Sequence, residues 1–337
     1  MKRCYTSSMK IGKQKIISIV VFAALIAFSI GVVFFILPAY IRNQIDVPPE
    51  GILNVDNKSM QNFENGSEKY PFKTINAALL RAKERKGMQT LLIKGGVYGE
   101  QLELNGDIAL SGIGEVRIEN DILARGFIIM DGRTILHNIQ LYGGHNGIEV
   151  RKNAKVILSH SEIVGAKNFG LVNEAHDEVN DGDDIVISKS KIAECGSQGL
   201  YLRKADIMIV DSIIERNKEE GIDLHTGVVA TVRNCTIADN GEGGIETEVG
   251  DNKLIFENDM IVRNGSSGIN MQSSTGNASI LIANNEIRDN GAFGIRCTYH
   301  SDVIRPYFAK YVIIEDNNVF SGNGDREMPG TCTNKNK

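Results

Sequence analysis

Three pairs of residues hold the most reactive side chains of the sequence. Tyr201 and Arg203, Asp223 and His225, and Glu246 and Glu248 each lie two residues apart, and the pairs recur at intervals of 22 and 23 residues. A spacing of two places both members on one face of a β-strand. If those strands stack as neighbours in one sheet, about 4.8 Å apart, the pairs form a single patch about 10 Å tall. The patch would hold a phenol, a guanidinium, an imidazole and three carboxylates, the ingredients of general acid–base work on an acidic sugar. The structural alternative is a salt-bridged face in which Arg203 pairs with Asp223 or Glu246.

The elements that must position these residues are written as a repeat. A glycine followed by an aliphatic residue opens seven short alternating segments, at Gly147, Gly170, Gly199, Gly221, Gly244, Gly268 and Gly294, spaced 22 to 29 residues apart. A period of this length without a helical pattern inside it predicts an all-β solenoid whose repeats are coils of a parallel β-helix. One residue after the glycine the column reads Ile148, Leu171, Leu200, Ile222, Ile245, Ile269 and Ile295, so it faces the core. The second and fourth residues after the glycine then point outward. They read Glu149, Val172, Tyr201, Asp223, Glu246, Asn270, Arg296 and Arg151, Glu174, Arg203, His225, Glu248, Gln272, Thr298. Glu149, Arg151, Glu174, Glu246, Asn270, Gln272 and Arg296 are therefore expected to line a substrate path above and below the reactive patch.

A second aliphatic strand repeats in each coil, as in Ile185-Val186-Ile187 and Leu254-Ile255-Phe256, followed by small polar residues. Ser161, Ser190, Ser212, Cys235, Asp259, Asn285 and Asn317 are expected to stack as a ladder that satisfies backbone groups at the bend. Upstream, the apolar spacing from Thr74 to Lys86 predicts a helix with Thr74 as N-cap and Gly87 as its stop, covering the open end of the first coil.

The stretch Gly66-Ser67-Glu68-Lys69-Tyr70-Pro71-Phe72-Lys73-Thr74-Ile75, the helix after it, and Leu91-Leu92-Ile93-Lys94-Gly95-Gly96-Val97-Tyr98-Gly99-Glu100 together resemble the opening of pectate-lyase-like right-handed β-helix proteins. That resemblance spans roughly residues 66–324 and implies fold far more than function. Within it, Gly221-Ile222-Asp223-Leu224-His225-Thr226 and Gly244-Ile245-Glu246-Thr247-Glu248 look like the catalytic coils of mannuronan (alginate) epimerases, a likeness that covers residues 221–272. The resemblance implies a catalytic pair in Asp223 and His225 and an acidic partner in Glu248. Leu224 stands where that family has proline, Thr226 where an acid often follows, and Glu220 where its catalytic tyrosine lies. Tyr201, one coil earlier, is another source of a phenol.

The implied chemistry is abstraction of the proton alpha to a uronate carboxylate, after an arginine or a protonated acid has neutralised that carboxylate. Arg203 is the expected neutralising group. His225 would act as base or acid with Asp223 orienting its ring, and Tyr201 would act from the other face of the sugar. Reprotonation from the opposite face makes an epimerase, and loss of the glycosidic oxygen makes a lyase. A non-catalytic glycan-binding or scaffold solenoid is the alternative. A glycoside hydrolase using Asp223 with Glu246 or Glu248 is a second one.

The acidic insertion from Glu174 to Asp184 lengthens one coil, and Asp177, Asp181 and Asp183 within it are oxygen ligands of the kind that hold calcium. No other cofactor is expected, and no cysteine spacing resembles a zinc site. Cys297 and Cys332 could join the tail to the last coil, whereas Cys195 and Cys235 fall at different offsets in their coils.

No charged residue occurs from Ile16 to Ile41, a run longer than a bilayer requires. Residues 16–41 are read as a transmembrane signal-anchor helix rather than a cleaved signal peptide. Residues 1–15 carry five lysines and arginines and no acid, which sets this tail in the cytoplasm and the solenoid outside. Removing those five charges from the net −5 of the whole chain leaves −10 on the remainder, which argues against nucleic acid as a partner and leaves an acidic polysaccharide or other glycan. Residues 42–68 are expected to be a spacer, and residues 69–330 the β-helix domain.

Overall fold

The structure, a computed structural model, describes residues 51–337 apart from 122–125, 152–153, 174–182, 275, 300–306, 316, 326–331 and 333–337. The expected transmembrane segment, the basic tail, Glu174, Asp177 and Asp181 lie outside the described residues. Among the described residues no helix is long and apolar enough to cross a membrane.

Each coil contributes short parallel strands, and the coils wind into a right-handed parallel β-solenoid. Nine strands, from Glu103–Asn105 through Ile222–Leu224 and Ile245–Val249 to Ile295–Thr298, form one sheet stacked in strict chain order. The remaining strands form two further ladders, joined into a nineteen-stranded sheet. The period read from the sequence is the register observed: Leu200 pairs with Ile222, Ile222 with Ile245, and Ile245 with Ile269. All seven members of the aliphatic column are 0% exposed. Their removal from water is the main force holding the coils together.

The ladder at the bend is present with one correction. The Ser161 amide donates to Ser190 Oγ (3.2 Å), Cys235 to Asp259 Oδ1 (2.8 Å) and Asp259 to Asn285 Oδ1 (2.8 Å). The last rung is Asn318, which accepts from the Asn285 amide at 3.0 Å, while Asn317 bonds Asn284 on the outer side of the corner. The residue before each rung from Ser161 to Asn285, such as Asn258 (φ 58°) or Asn284 (φ 59°), turns the corner in left-handed backbone, which asparagine tolerates better than most residues.

A second ladder goes beyond the sequence expectation. Asn217, Asn240, Asn264, Asn290 and Asn323 stack in successive coils, each accepting the amide of the rung before it, as Asn264 Oδ1 does from Asn240 at 3.2 Å. Their Nδ2 groups donate in turn, for example from Asn264 to the Ile237 carbonyl at 3.1 Å. Both polar ends of each buried amide are thereby satisfied.

Two further differences concern the ends. The expected spacer contains the strand Gly51–Val55, which pairs with Gln89–Tyr98 and buries Leu53 and Val55 in the core, so the sheet begins before residue 69. The helix runs Ile75–Lys83, shorter than expected, with the Thr74 side chain accepting from the Ala77 amide. It ends at Glu84, whose amide bonds back to the Arg81 carbonyl before Gly87 turns the chain in left-handed backbone (φ 73°). Cys297 and Cys332 form the expected disulfide, and Cys195 and Cys235 are buried free thiols.

Asp259 is the one rung that strains the ladder chemically. Its Oδ1 accepts from Cys235, but its buried Oδ2 has no hydrogen-bond partner, where the equivalent Asn285 donates to the Phe256 carbonyl at 2.9 Å. Burial pushes the carboxyl up to about 7, because the ionised form would face unsolvated surroundings. A raised carboxyl loses stability as pH climbs from its ordinary value toward the folded one. Asp259→Asn is therefore expected to stabilise the fold by about 1–3 kcal/mol at pH 8 and by less at pH 4, read from thermal melts.

Candidate functional site

The sheet that begins at Glu103 carries the reactive patch on its outer face. Register sets Tyr201 beside Asp223, Asp223 beside Glu246, and Glu246 beside Asn270. At the end of the strand Ile222–Leu224, His225 follows in extended chain, its amide donating to the Leu202 carbonyl at 2.9 Å. The turn beyond is fixed from the following coil by Asn252, whose buried amide donates to the carbonyls of both His225 and Glu248 at 2.8 Å. Asn252 thus ties together the backbones that present the imidazole and its acidic neighbour.

The imidazole is held between two carboxylates. His225 Nε2 lies 3.2 Å from Asp223 Oδ2, and Nδ1 lies 3.2 Å from Glu248 Oε1. Carboxylate oxygens only accept hydrogen bonds, so a ring that engages both does so as imidazolium, donating from each nitrogen. The hydrogen bond that the ring donates to Asp223 accordingly raises His225 above its ordinary value, with burial working against it and the charge of Glu248 adding to it. Asp223 is 8% exposed, so its contact with the ring is little screened by solvent.

Aromatic stacking continues the site through three coils. The Tyr201 ring lies 4.7 Å from the His225 ring and 5.0 Å from Phe169, distances at which aromatic pairs attract. Arg203 donates to the Tyr201 hydroxyl, and its backbone is clamped by Asn173, which accepts from the Arg203 amide at 2.8 Å and donates to its carbonyl at 2.7 Å. Arg203 is therefore engaged with the phenol rather than forming the ion pair with Asp223 or Glu246 that a salt-bridged face would need.

The expected substrate-path residues divide into two groups. Asn270 and Gln272, two coils above the imidazole, donate to the two oxygens of Glu246 at 2.6 Å each. Arg296 continues this column in register with Asn270 and is exposed. On the other side, Glu149 and Arg151 bond each other at 2.6 Å and are separated from Tyr201 by the coil of Val172, which is 0% exposed. Asp183, the described member of the expected calcium set, is buried, with Oδ1 accepting from the Ala154 amide and Oδ2 from Asn173. Among the described residues no group of three or more acidic, histidine or cysteine side chains could hold a metal ion.

Several residues of the site lie outside the sequence expectation. Phe169 directly precedes its coil's glycine, the same offset as Glu220, and that shared offset is the available signal. Asn173 and Asn252 carry no distinguishing mark in the sequence, and only the fold shows them as buried clamps. Glu220 is 7% exposed, accepts from Gln198 at 3.1 Å, and packs its Cγ over Gly243. Burial, together with a hydrogen bond shared with Glu242, pushes Glu220 up to about 8. Burial likewise raises Glu246, opposed by the Asn270 hydrogen bond and reinforced by the charges of Asp223 and Glu242. The face is thus rich in carboxyls, two of which hold their protons more tightly than usual.

Known proteins share this architecture. Residues 178–334 match the family model of the right handed beta helix region. The structure is similar to that of pectate lyase Pel9A, with a TM-score of 0.64 at 15% identity over 85% of this chain and 79% of that one. It also aligns with a single-site mutant of the periplasmic alginate epimerase AlgG, with a TM-score of 0.44 at 13% identity over 72% of this chain and 77% of that one. In sequence, 148 residues are 28% identical to SHC SH2 domain-binding protein 1 of Homo sapiens, covering 42% of this chain and 20% of that protein. The match thus spans about a fifth of that relative's length. The fold is that of the right-handed parallel β-helix.

The raised Glu220 has a consequence for stability. In the unfolded chain a glutamate ionises near its ordinary value of 4.5, whereas in the fold Glu220 keeps its proton up to about 8. Its contribution is therefore present below pH 4.5 and is lost progressively as pH rises toward 8. Glu220→Gln keeps the shape without the charge. The variant is expected to melt at the same temperature as wild type near pH 4 and several degrees higher near pH 8, and equal melts at both pH values would contradict the assignment.

Proposed function

We propose that this β-helix acts on a uronate-containing polysaccharide, moving a proton at the carbon alpha to the carboxylate, as an epimerase or a lyase. The observation that carries the reading is the imidazole of His225 bracketed by Asp223 and Glu248 and stacked on Tyr201. An imidazolium so held is a proton donor. Tyr201, whose hydroxyl receives the Arg203 guanidinium, is the complementary acceptor. Arg203 then serves the phenol, and neutralising the substrate's carboxylate falls to a protonated carboxyl. Glu246 suits that task, since burial favours its neutral form and Asn270 and Gln272 fix its position.

In this reading residues 16–41 anchor the protein in a membrane with residues 1–15 in the cytoplasm, the helix Ile75–Lys83 covers the first coil, and the solenoid meets an acidic glycan outside the cell. Calcium at the acidic insertion belongs to the same proposal, with Asp177 and Asp181 as its carriers. A hydrolytic alternative uses Asp223 and Glu246, which are register partners of which Glu246 is raised.

Incubation of the full-length protein with uronate polymers in deuterated water, followed by NMR of the sugar protons, separates these chemistries. Incorporated deuterium or unsaturated ends are expected, and reducing ends without unsaturation would indicate hydrolysis. His225→Ala is expected to lower the rate at least 100-fold while the domain still folds, with a lowered melting temperature because Asp223 and Glu248 lose their shared imidazolium. A wild-type protein inert on every uronate polymer, but retained by one, would replace catalysis with glycan binding.

A further inference from the structure

The two proton-handling groups stand on one side of whatever lies on the sheet. Tyr201 and His225 project from adjacent strands of the same outer face, and their rings are in contact with centroids 4.7 Å apart. An aromatic pair at that distance leaves no room for a sugar ring between its members. Epimerisation needs the opposite arrangement, in which one group removes the proton from one face of the ring and another returns it to the other face. Groups packed against each other reach the same face.

From this geometry we propose that the site carries out syn β-elimination, and that its substrates are 4-linked uronates whose C5–H and C4–O bonds lie on the same face of the ring. The inference rests on the uronate reading above and narrows it to a lyase of defined stereochemistry. Mannuronate and glucuronate in the D series have that arrangement. L-Guluronate, the C5 epimer of mannuronate, and D-galacturonate, the C4 epimer of glucuronate, have the two bonds on opposite faces.

The step balances without water or a cofactor. The Tyr201 oxygen, held by Arg203 and acting as phenolate, takes the C5 proton. The electron pair of that bond forms the C4=C5 double bond, and the C4–O bond breaks with its pair on the glycosidic oxygen. That oxygen takes the Nδ1 proton of the His225 imidazolium, displacing Glu248, the more exposed of the ring's two partners, and remains on C1 of the neighbouring sugar as a new reducing end. Return of a proton from Tyr201 to His225 across the ring contact restores the starting state. Asp223 and Glu248 orient His225 so that its charge is stabilised before the transfer.

The test compares four polymers on the full-length protein in deuterated water: polymannuronate, polyglucuronate, polyguluronate and polygalacturonate. Ultraviolet absorbance reads the unsaturated ends, and NMR reads deuterium at C5. The expected result is unsaturated ends from polymannuronate or polyglucuronate, none from the other two, and no inverted sugars carrying deuterium. Tyr201→Phe, which keeps the ring stack, should lower the elimination rate at least 100-fold with an unchanged thermal melt. Inverted, deuterated sugars would overturn the inference and leave the uronate reading standing. So would unsaturated ends formed equally well from polyguluronate or polygalacturonate. Absence of any product from all four polymers would overturn both.

Discussion

Everything in this molecule depends on successive coils keeping residue-for-residue register. Backbone hydrogen bonds run from each coil to the next, so an offset in sequence becomes a column in space about 4.8 Å apart. Ile222 beneath Ile245 and Asp223 beside Glu246 are two results of one alignment. The inward column supplies the apolar burial, and the outward column is thereby forced into contact whatever its chemistry. A strand shifted by one residue would put Asp223 into the core and Ile222 into solvent, at a cost the fold could not bear.

Forced contact explains the electrostatics of the site. Stacking places carboxyls at neighbour distance, where the cost of ionising all of them together is relieved in three ways. Asp223 and Glu248 share the imidazolium of His225. Glu246 is held by two amides. Glu220 keeps its proton. The same rule applies at the corners, where the stacked asparagines satisfy one another and Asp259, an acid among amides, does not fit as well.

The column structure is legible because periodicity survives in a single sequence. Seven glycines fix the offset, and the outward pairs at Tyr201, Asp223 and Glu246 follow from it. The asparagine ladder is equally periodic, four residues before the glycine in the coils of Gly221, Gly244, Gly268 and Gly294. It escapes a sequence reading because asparagine before glycine looks like an ordinary turn, and only burial distinguishes a rung from a loop. Asn317 passes for Asn318 because two adjacent asparagines give the pattern nothing to choose between. The strand Gly51–Val55 is hidden by its polar flanks, since five residues are too few to show alternation against such a background. The partner of Arg203 is not readable from sequence at all, because both Tyr201 and Asp223 lie within reach of a long side chain.

The central claim is that stacking of adjacent coils makes His225 a clamped imidazolium. Heteronuclear NMR of the His225 ring nitrogens across pH tests it most directly, in the wild type and in Asp223→Asn. The account requires both nitrogens to be protonated together up to a midpoint above the ordinary histidine value of about 6.5, and that midpoint to fall when Asp223 loses its charge. A midpoint at or below the ordinary value, or one that Asp223→Asn leaves unmoved, would contradict it.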